Sequence, residues 1–185
     1  MGRSTSGGGM NRGEPLKHYL HGRLSALGFV VALATLAVDQ ATKYWVLYGF
    51  DLLNRGAAAV APGVDFALTW NRGISYGWFQ QETDLGRWLL LGFKIAVVAA
   101  LWVWLSQARN RLTALGLGLI IGGALGNALD RLTYGAVVDF ILLHLDTAGG
   151  RFNWYVFNLA DAAIVAGVAA LLYESFVGDR AAKAP

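Results

Sequence analysis

Leu112-Thr-Ala-Leu-Gly-Leu-Gly-Leu-Ile-Ile-Gly-Gly-Ala-Leu-Gly-Asn-Ala-Leu-Asp-Arg131 is the stretch on which the fold turns. From Leu112 to Leu129 it carries no charge. A bilayer core of about 30 Å is spanned by roughly 20 apolar residues of helix, so this run reads as a membrane helix. Gly118, Gly122 and Gly126 recur at every fourth residue, which puts them on one helix face and lets a neighbouring backbone come close. Asn127, Asp130 and Arg131 then gather at one end of the run.

Working outward, three further runs have similar length: Leu24 to Leu47, Trp88 to Leu105 and Asn158 to Phe176. Composition agrees with a membrane protein. The 185 residues are 56% hydrophobic and only 15% charged, where a soluble globule carries roughly a quarter charged residues. Cysteine is absent, which excludes disulfides, a thiol nucleophile and thiolate metal ligands. A pI near 9.3 does not point to nucleic acid, because the basic residues collect at the chain ends and in one short connection.

That clustering sets the orientation. Arg12, Lys17 and Arg23 precede the first run, Arg109 and Arg111 join the second to the third, and Arg180 and Lys183 follow the fourth. The positive-inside rule assigns all three regions to the cytoplasm. Segments 49–87 and 130–157 then face outward. Tyr44, Trp45, Tyr48, Trp88 and Tyr173 mark the interfaces. The expected architecture is an all-α membrane protein of four transmembrane helices with a small extracytoplasmic β-containing subdomain. Turn residues followed by near-alternation in Ala61-Pro-Gly-Val-Asp-Phe-Ala-Leu-Thr-Trp70 supply the strands. Residues 1–23 form a cytoplasmic arm, 24–177 the membrane domain including segment 49–87, and 178–185 a cytoplasmic tail. Residues 1–9 have the composition of a linker or an expression scar, and Met10 is a candidate natural start. The first run lacks a cleavage site and reads as a retained helix.

Depth brings the polar residues together. The first helix rises outward from Leu24, so Asp39 lies about 22 Å along it, and Lys43 follows one turn later on the same face. Asn127, Asp130 and Arg131 fall at the outer end of the third helix, and Asp139 in the outer loop beyond it. Asn158 and Asp161 open the fourth helix, and Asn71 lies in the other outer segment. An intramembrane charge costs about 2.5–3.5 kcal/mol on insertion scales, so several at one level must satisfy one another or do chemistry. Plainer readings exist for each. Asp161 serves as the third-position carboxylate of a cap begun by Asn158. Asp39 and Lys43 make a satisfied pair, and Arg131 holds outer-loop carbonyls or carboxylates. Asp139 is a solvated loop carboxylate, although Val137, Val138, Phe140 and Ile141 flank it and no basic residue is near in sequence.

Five blocks complete the reading: Val38-Asp-Gln-Ala-Thr-Lys43, Asn71-Arg-Gly-Ile-Ser-Tyr-Gly77, Gly122-Gly-Ala-Leu-Gly-Asn-Ala-Leu-Asp-Arg131, Gly135-Ala-Val-Val-Asp-Phe140 and Phe157-Asn-Leu-Ala-Asp161. In this order they resemble the signature blocks of the bacterial lipoprotein signal peptidases (signal peptidase II). The resemblance implies an inner-membrane aspartic endopeptidase, active at the outer leaflet, that cuts prolipoproteins on the amino side of a diacylglyceryl cysteine. By motif position Asp139 and Asp161 match the catalytic pair. Asn71, Gly73, Asn127, Asp130, Arg131, Asn158 and Ala160 match residues lining the substrate site, and Asp39 and Lys43 match a supporting pair. Tyr76 stands where the family often has Phe, and Leu142–Arg151 matches no signature. No metal or cofactor is implied, the partners are prolipoprotein and membrane lipid, and the chain is expected to be monomeric.

Two carboxylates held close share one proton, so one takes a proton from the attacking water while the other donates to the scissile carbonyl. A Ser75–Lys43 dyad is a rival peptidase chemistry. A small transporter or channel subunit using the aspartates as a proton relay is a rival of another class, disfavoured because no polar path crosses the inner leaflet. A metal site is weaker still: His18 and His21 lie in the cytoplasmic arm, and His144 with Asp146 is too sparse.

Overall fold

The structure, a computed structural model, describes residues 21–72 and 84–182. The arm before His21, Gly73, Ser75, Tyr76, Lys183 and the side chain of Lys94 lie outside that description. With them go the expected scar, one expected site residue and the serine of the rival dyad.

Helix α1, Ser25–Tyr44, widens into a π-helical turn at Trp45–Gly49. A short helix α2, Leu52–Arg55, leads into strands β1, Ala58–Ala61, and β2, Val64–Asn71. Helices α3, Asp84–Ser106, and α4, Arg111–Tyr134, follow as a hairpin. Strands β3, Val137–Thr147, and β4, Gly150–Phe157, then precede helix α5, Leu159–Ala182. Ser25–Gly49, Arg111–Tyr134 and Leu159–Val177 are long and apolar enough to cross a membrane, and the described apolar part of α3 is the shorter Ile95–Ser106.

Helix α4 is the axis of the bundle, and its glycines are the reason. A Cβ on Gly118 would lie 2.7 Å from the Gly28 carbonyl oxygen of α1, and one on Gly122 would run into the Ala32 carbonyl. A second pair faces α5: a Cβ on Gly123 would lie 2.5 Å from the Ala160 oxygen and one on Gly116 3.0 Å from that of Gly167. Small residues therefore open both flanks of α4, where the sequence suggested one stripe. Backbones so close gain dispersion contacts that lipid cannot offer. Between these helices Ala32, Leu105, Ala114, Leu117 and Ile121 form a buried cluster. At the far end of α4, Asn110 caps the helix through Thr113 N–H at 2.8 Å and donates to Glu174 of α5 at 2.8 Å.

The four strands form one antiparallel sheet in the order β1-β2-β3-β4. It is larger than the expected subdomain, because two strands come from the second outer segment. Asp139 accordingly lies on strand β3 and not in a loop. The run Val137-Val-Asp-Phe-Ile141 is β-branched and aromatic around a single carboxylate, so strand propensity prevails once β2 supplies a partner. Gly135 at φ 72° ends α4 and turns the chain into that strand. Val46, Leu52 and Phe140, with Phe50 and Phe66 packed against them, cement the sheet to the outer end of α1. Phe66 meets Phe140 edge-on at 5.7 Å.

Candidate active site

Three elements converge where the sheet meets the bundle. The register of β2 on β3 sets Thr69 opposite Asp139, which leaves Asn71 as the diagonal neighbour. Its Nδ2 donates to Asp139 Oδ2 at 3.0 Å. The other oxygen, Oδ1, accepts from Asn158 Nδ2 at 2.7 Å. Asp139 is only 3% exposed. Burial pushes its carboxyl up to about 6; the Asn71 hydrogen bond opposes this, the charge of Asp161 adds to it, and the Asn158 bond and the Lys43 charge oppose it.

Asp161 is held by the start of α5. Asn158 Oδ1 accepts from Asp161 N–H at 3.0 Å, and Asp161 Oδ2 accepts from Asn158 N–H at 3.2 Å. This is a capping box, with each residue satisfying the other's orphan amide. The plain reading of Asp161 as a cap carboxylate is therefore true, and it does not compete with a chemical one. Its Oδ1 remains, and accepts from Asn127 Nδ2 at 2.8 Å.

Asn158 thus touches both aspartates, Asp139 through its side-chain amide and Asp161 through its backbone amide and its oxygen. Among the described residues each of the four carboxylate oxygens receives one amide donor, which leaves a second lone pair on each for a proton, a water or a substrate group. The expected pair is together, joined by one fully buried asparagine.

Beneath the pair lies a second network. Lys43 Nζ lies 2.8 Å from Asp39 Oδ2, 2.7 Å from Asp130 Oδ2 and 3.1 Å from Asn127 Oδ1. Three ammonium protons meet three acceptors, so every donor of the buried ammonium is satisfied. Asp39 Oδ1 accepts from the Ala160 N–H at 3.0 Å, and Asp130 Oδ2 from the Val138 N–H at 3.1 Å. Asp39 and Asp130 therefore tie the first turn of α5 and the start of β3 to the bundle. Asp130 and Ala160, expected to line a substrate site, are fully buried and hold these anchors. Among the described residues Arg131 donates to the Asn127 carbonyl of its own helix at 2.9 Å, and it interacts electrostatically with Asp139 of the outer segment and with Asp130 and Asp161. Gly126 makes the room: a Cβ there would lie 2.5 Å from Asp39 Oδ2.

Gln40 was not among the expected site residues. Its Nε2 donates to Asp130 Oδ1 at 2.8 Å, with Asp39 Oδ2 and the Gly126 carbonyl each at 3.2 Å. An amide beside Asp39 on a helix with a polar outer end was the available signal. His144 and Asp146 stand apart at the far end of the sheet, engaged with Asp65 and Arg151.

Comparison with known proteins places this geometry in context. The family model described as signal peptidase (SPase) II matches residues 31–177. A lipoprotein signal peptidase of Rhodopseudomonas palustris (strain TIE-1) is 55% identical over 159 residues, 86% of this chain and 97% of that protein. The lipoprotein signal peptidase of Nitrobacter hamburgensis is 56% identical over 158 residues, 85% of this chain and 96% of its own. A solved bacterial membrane enzyme superposes with a TM-score of 0.68 at 24% identity, covering 86% of this chain and 92% of that one, which speaks to the fold alone.

Proposed function

The chain belongs to the signal peptidase II family, and from that premise we infer that it removes signal peptides from lipoprotein precursors in a membrane. The reading of the site is our own: Asp139 and Asp161 are the catalytic pair. The observation that carries it is the bridge through Asn158, which holds two carboxylates of unlike surroundings side by side. A pair so coupled titrates as a unit, and one proton stays between the two carboxylates up to about pH 6. The ionised member takes a proton from water as its oxygen adds to the scissile carbonyl carbon. The protonated member gives its proton to the carbonyl oxygen. Collapse of the tetrahedral intermediate breaks the C–N bond on the amino side of the lipidated cysteine; one carboxyl of the pair protonates the departing amine while the other takes a hydroxyl proton from the intermediate, which restores the pair.

The remaining features fit one arrangement. Helix α3 is the fourth span, both termini are cytoplasmic, and the sheet lies outside the inner membrane of a bacterium. There the diacylglyceryl chains of a prolipoprotein stay in the outer leaflet and bring its cysteine to the aspartates. The protein acts as a monomer without metal or cofactor. Residues 24–177 form the peptidase domain, and segment 49–87, with β1 and β2, clamps the substrate from above. Deleting that segment abolishes cleavage if it clamps, and intact cleavage without it would remove the clamp from the account. Asn71, Asn127, Arg131 and Asn158 surround the pair; Asp39, Lys43, Asp130 and Ala160 hold its platform.

The decisive test is a gel-shift assay on a diacylglyceryl-modified prolipoprotein. The parent cleaves it, and Asp139→Asn and Asp161→Asn each do not. An Asp139→Asn or Asp161→Asn protein that turns over normally would overturn the assignment, and loss on Ser75→Ala alone would favour the serine chemistry.

A further inference from the structure

Asn127 sits between the buried lysine and one of the aspartates, and its amide has two unlike ends. Lys43 Nζ can only donate, so the end 3.1 Å away must be the oxygen. Asn158 Nδ2, at 3.0 Å, also requires an oxygen there. The other end lies 2.8 Å from Asp161 Oδ1, a carboxylate oxygen that the amide nitrogen fits as donor. We propose that Lys43 is a positioning residue that acts on the aspartate pair through the side-chain amide of Asn127. The ammonium fixes which way the amide points and thereby guarantees a donor to Asp161.

Asp39 and Asp130, at 2.8 and 2.7 Å, take two of the three ammonium protons. The third proton is directed at Asn127, which is on α4, while Lys43 is on α1 and Asp161 on α5. One contact thus joins three helices at the site. Without it, Asn127 loses one of the two donors that hold its oxygen. A half-turn of the amide would then set oxygen against carboxylate oxygen, and Asp161 would lose its donor. Asn158 would lose an acceptor at the same time, which loosens its grip on Asp139. The buried carboxylates supply the restoring force: with Asp39 and Asp130 on either side, the ammonium has no other place to go.

This inference deepens the proposed activity and rests on it, so the test has one arm with turnover and one without. The kinetic arm is a double-mutant cycle between Lys43→Met and Asn127→Leu, read as kcat on lipidated prolipoprotein. Lys43→Met lowers kcat about a hundred-fold in the parent, as a misplaced catalytic group does, with KM little changed. In the Asn127→Leu background, where no amide remains to orient, Lys43→Met adds almost nothing to the loss. An equal hundred-fold loss in both backgrounds would overturn the proposal, because the ammonium would then act on the aspartates directly. Lys43→Met leaves two buried carboxylates without a cation, and where it does not fold the charge-matched Asp130→Asn, Lys43→Met protein replaces it, with Asp130→Asn as its parent. The second arm follows hydrogen exchange at the Asn127 side-chain amide by NMR. Slow exchange in the parent and fast exchange after Lys43→Met is the expected result, and unchanged exchange overturns the relay. A parent that cleaves nothing would refute the proposed activity while this second arm still decides the relay.

Discussion

Asp139 and Asp146 share strand β3, seven residues apart, and nothing in the residue type distinguishes them. Asp139 is buried and is held by the amides of Asn71 and Asn158. Asp146 is exposed and accepts from Arg151 Nε at 2.9 Å. Burial raises the first carboxyl to about 6, whereas the Arg151 hydrogen bond holds the second below its ordinary range. Neutral amide donors hold a carboxylate in place and favour its charge too weakly to overcome burial, whereas a guanidinium fixes both. A carboxyl meant to trade protons must be positioned by the first kind of partner. The far end of β3 carries the second kind, with Asp65 and Arg151 3.1 Å apart and His144 beside them.

The comparison breaks first on turnover. Asp139→Asn or Asp161→Asn lowers cleavage of lipidated prolipoprotein by about a thousand-fold or more, in the range that a positioned acid or base contributes. Asp146→Asn, on the same strand, changes it by about two-fold at most. Comparable losses at both positions would mean that β3 acts as a whole and that the difference in surroundings is idle.

The bridging residue gives the next largest effect. Asn158→Ala removes the donor to Asp139 Oδ1 and the acceptor of the Asp161 N–H together. It lowers kcat by about a hundred-fold while leaving the protein folded, because the pair keeps its charges and loses its spacing. Arg151→Ala at the far end, which breaks the contacts to Asp146 and Asp65, leaves kcat near the parent value. Steady-state kinetics of the two variants in one detergent separates them.

Packing around the two ends differs in the same sense. Gly126→Ala drives a methyl against Asp39 Oδ2 and costs about 1–3 kcal/mol, as overpacking does in a close-packed interior. Gly149→Ala in the β3–β4 turn meets only the Thr147 hydroxyl oxygen at 3.9 Å and is worth about 0.5 kcal/mol or less. Thermal unfolding in detergent reads both, and equal shifts would show that the platform under the aspartates yields as easily as an exposed turn.

These contrasts also mark what the sequence made legible. The uncharged run from Leu112 to Leu129 and its glycines announced α4, because length and small residues act locally along one helix. Charge at the run ends brought Asp39, Lys43, Asn127 and Asp130 to one level, and the structure joins all four. The strand holding Asp139 was read as a loop, because its partner β2 is far away in sequence, with Asn71 68 residues before Asp139. Pairing of that kind is non-local, and a single carboxylate breaks the alternation by which a strand is recognised. The bridge through Asn158 was out of reach for another reason. One asparagine serving two aspartates on different elements depends on rotamers and register, to which spacing is blind. Gln40 sat inside a quoted block, but its three acceptors come from α1 and α4 together.

The finest difference is in the response of stability to pH, where the two aspartates of β3 have opposite signs. Asp139 keeps its proton in the folded state up to about pH 6, while the unfolded chain releases it in the ordinary carboxylate range. Between those values the folded state binds more protons, so the stability contributed at low pH is lost as pH rises toward 6. Asp146 is the reverse case. Its carboxyl is held below the ordinary range, so its contribution is present above that range and is lost as pH falls through it. Asp139→Asn therefore flattens a decline in Tm from pH 4 to pH 6, measured against the parent in one detergent. Asp146→Asn removes a much smaller rise at lower pH, because an exposed ion pair is screened by solvent and salt. A parent whose Tm difference from Asp139→Asn is constant across pH 4 to 6 would mean that Asp139 ionises in the folded protein as it does in the unfolded chain. The pair would then lack the raised carboxyl that a shared proton needs, and Asp139 would differ from Asp146 only in where it lies on the strand.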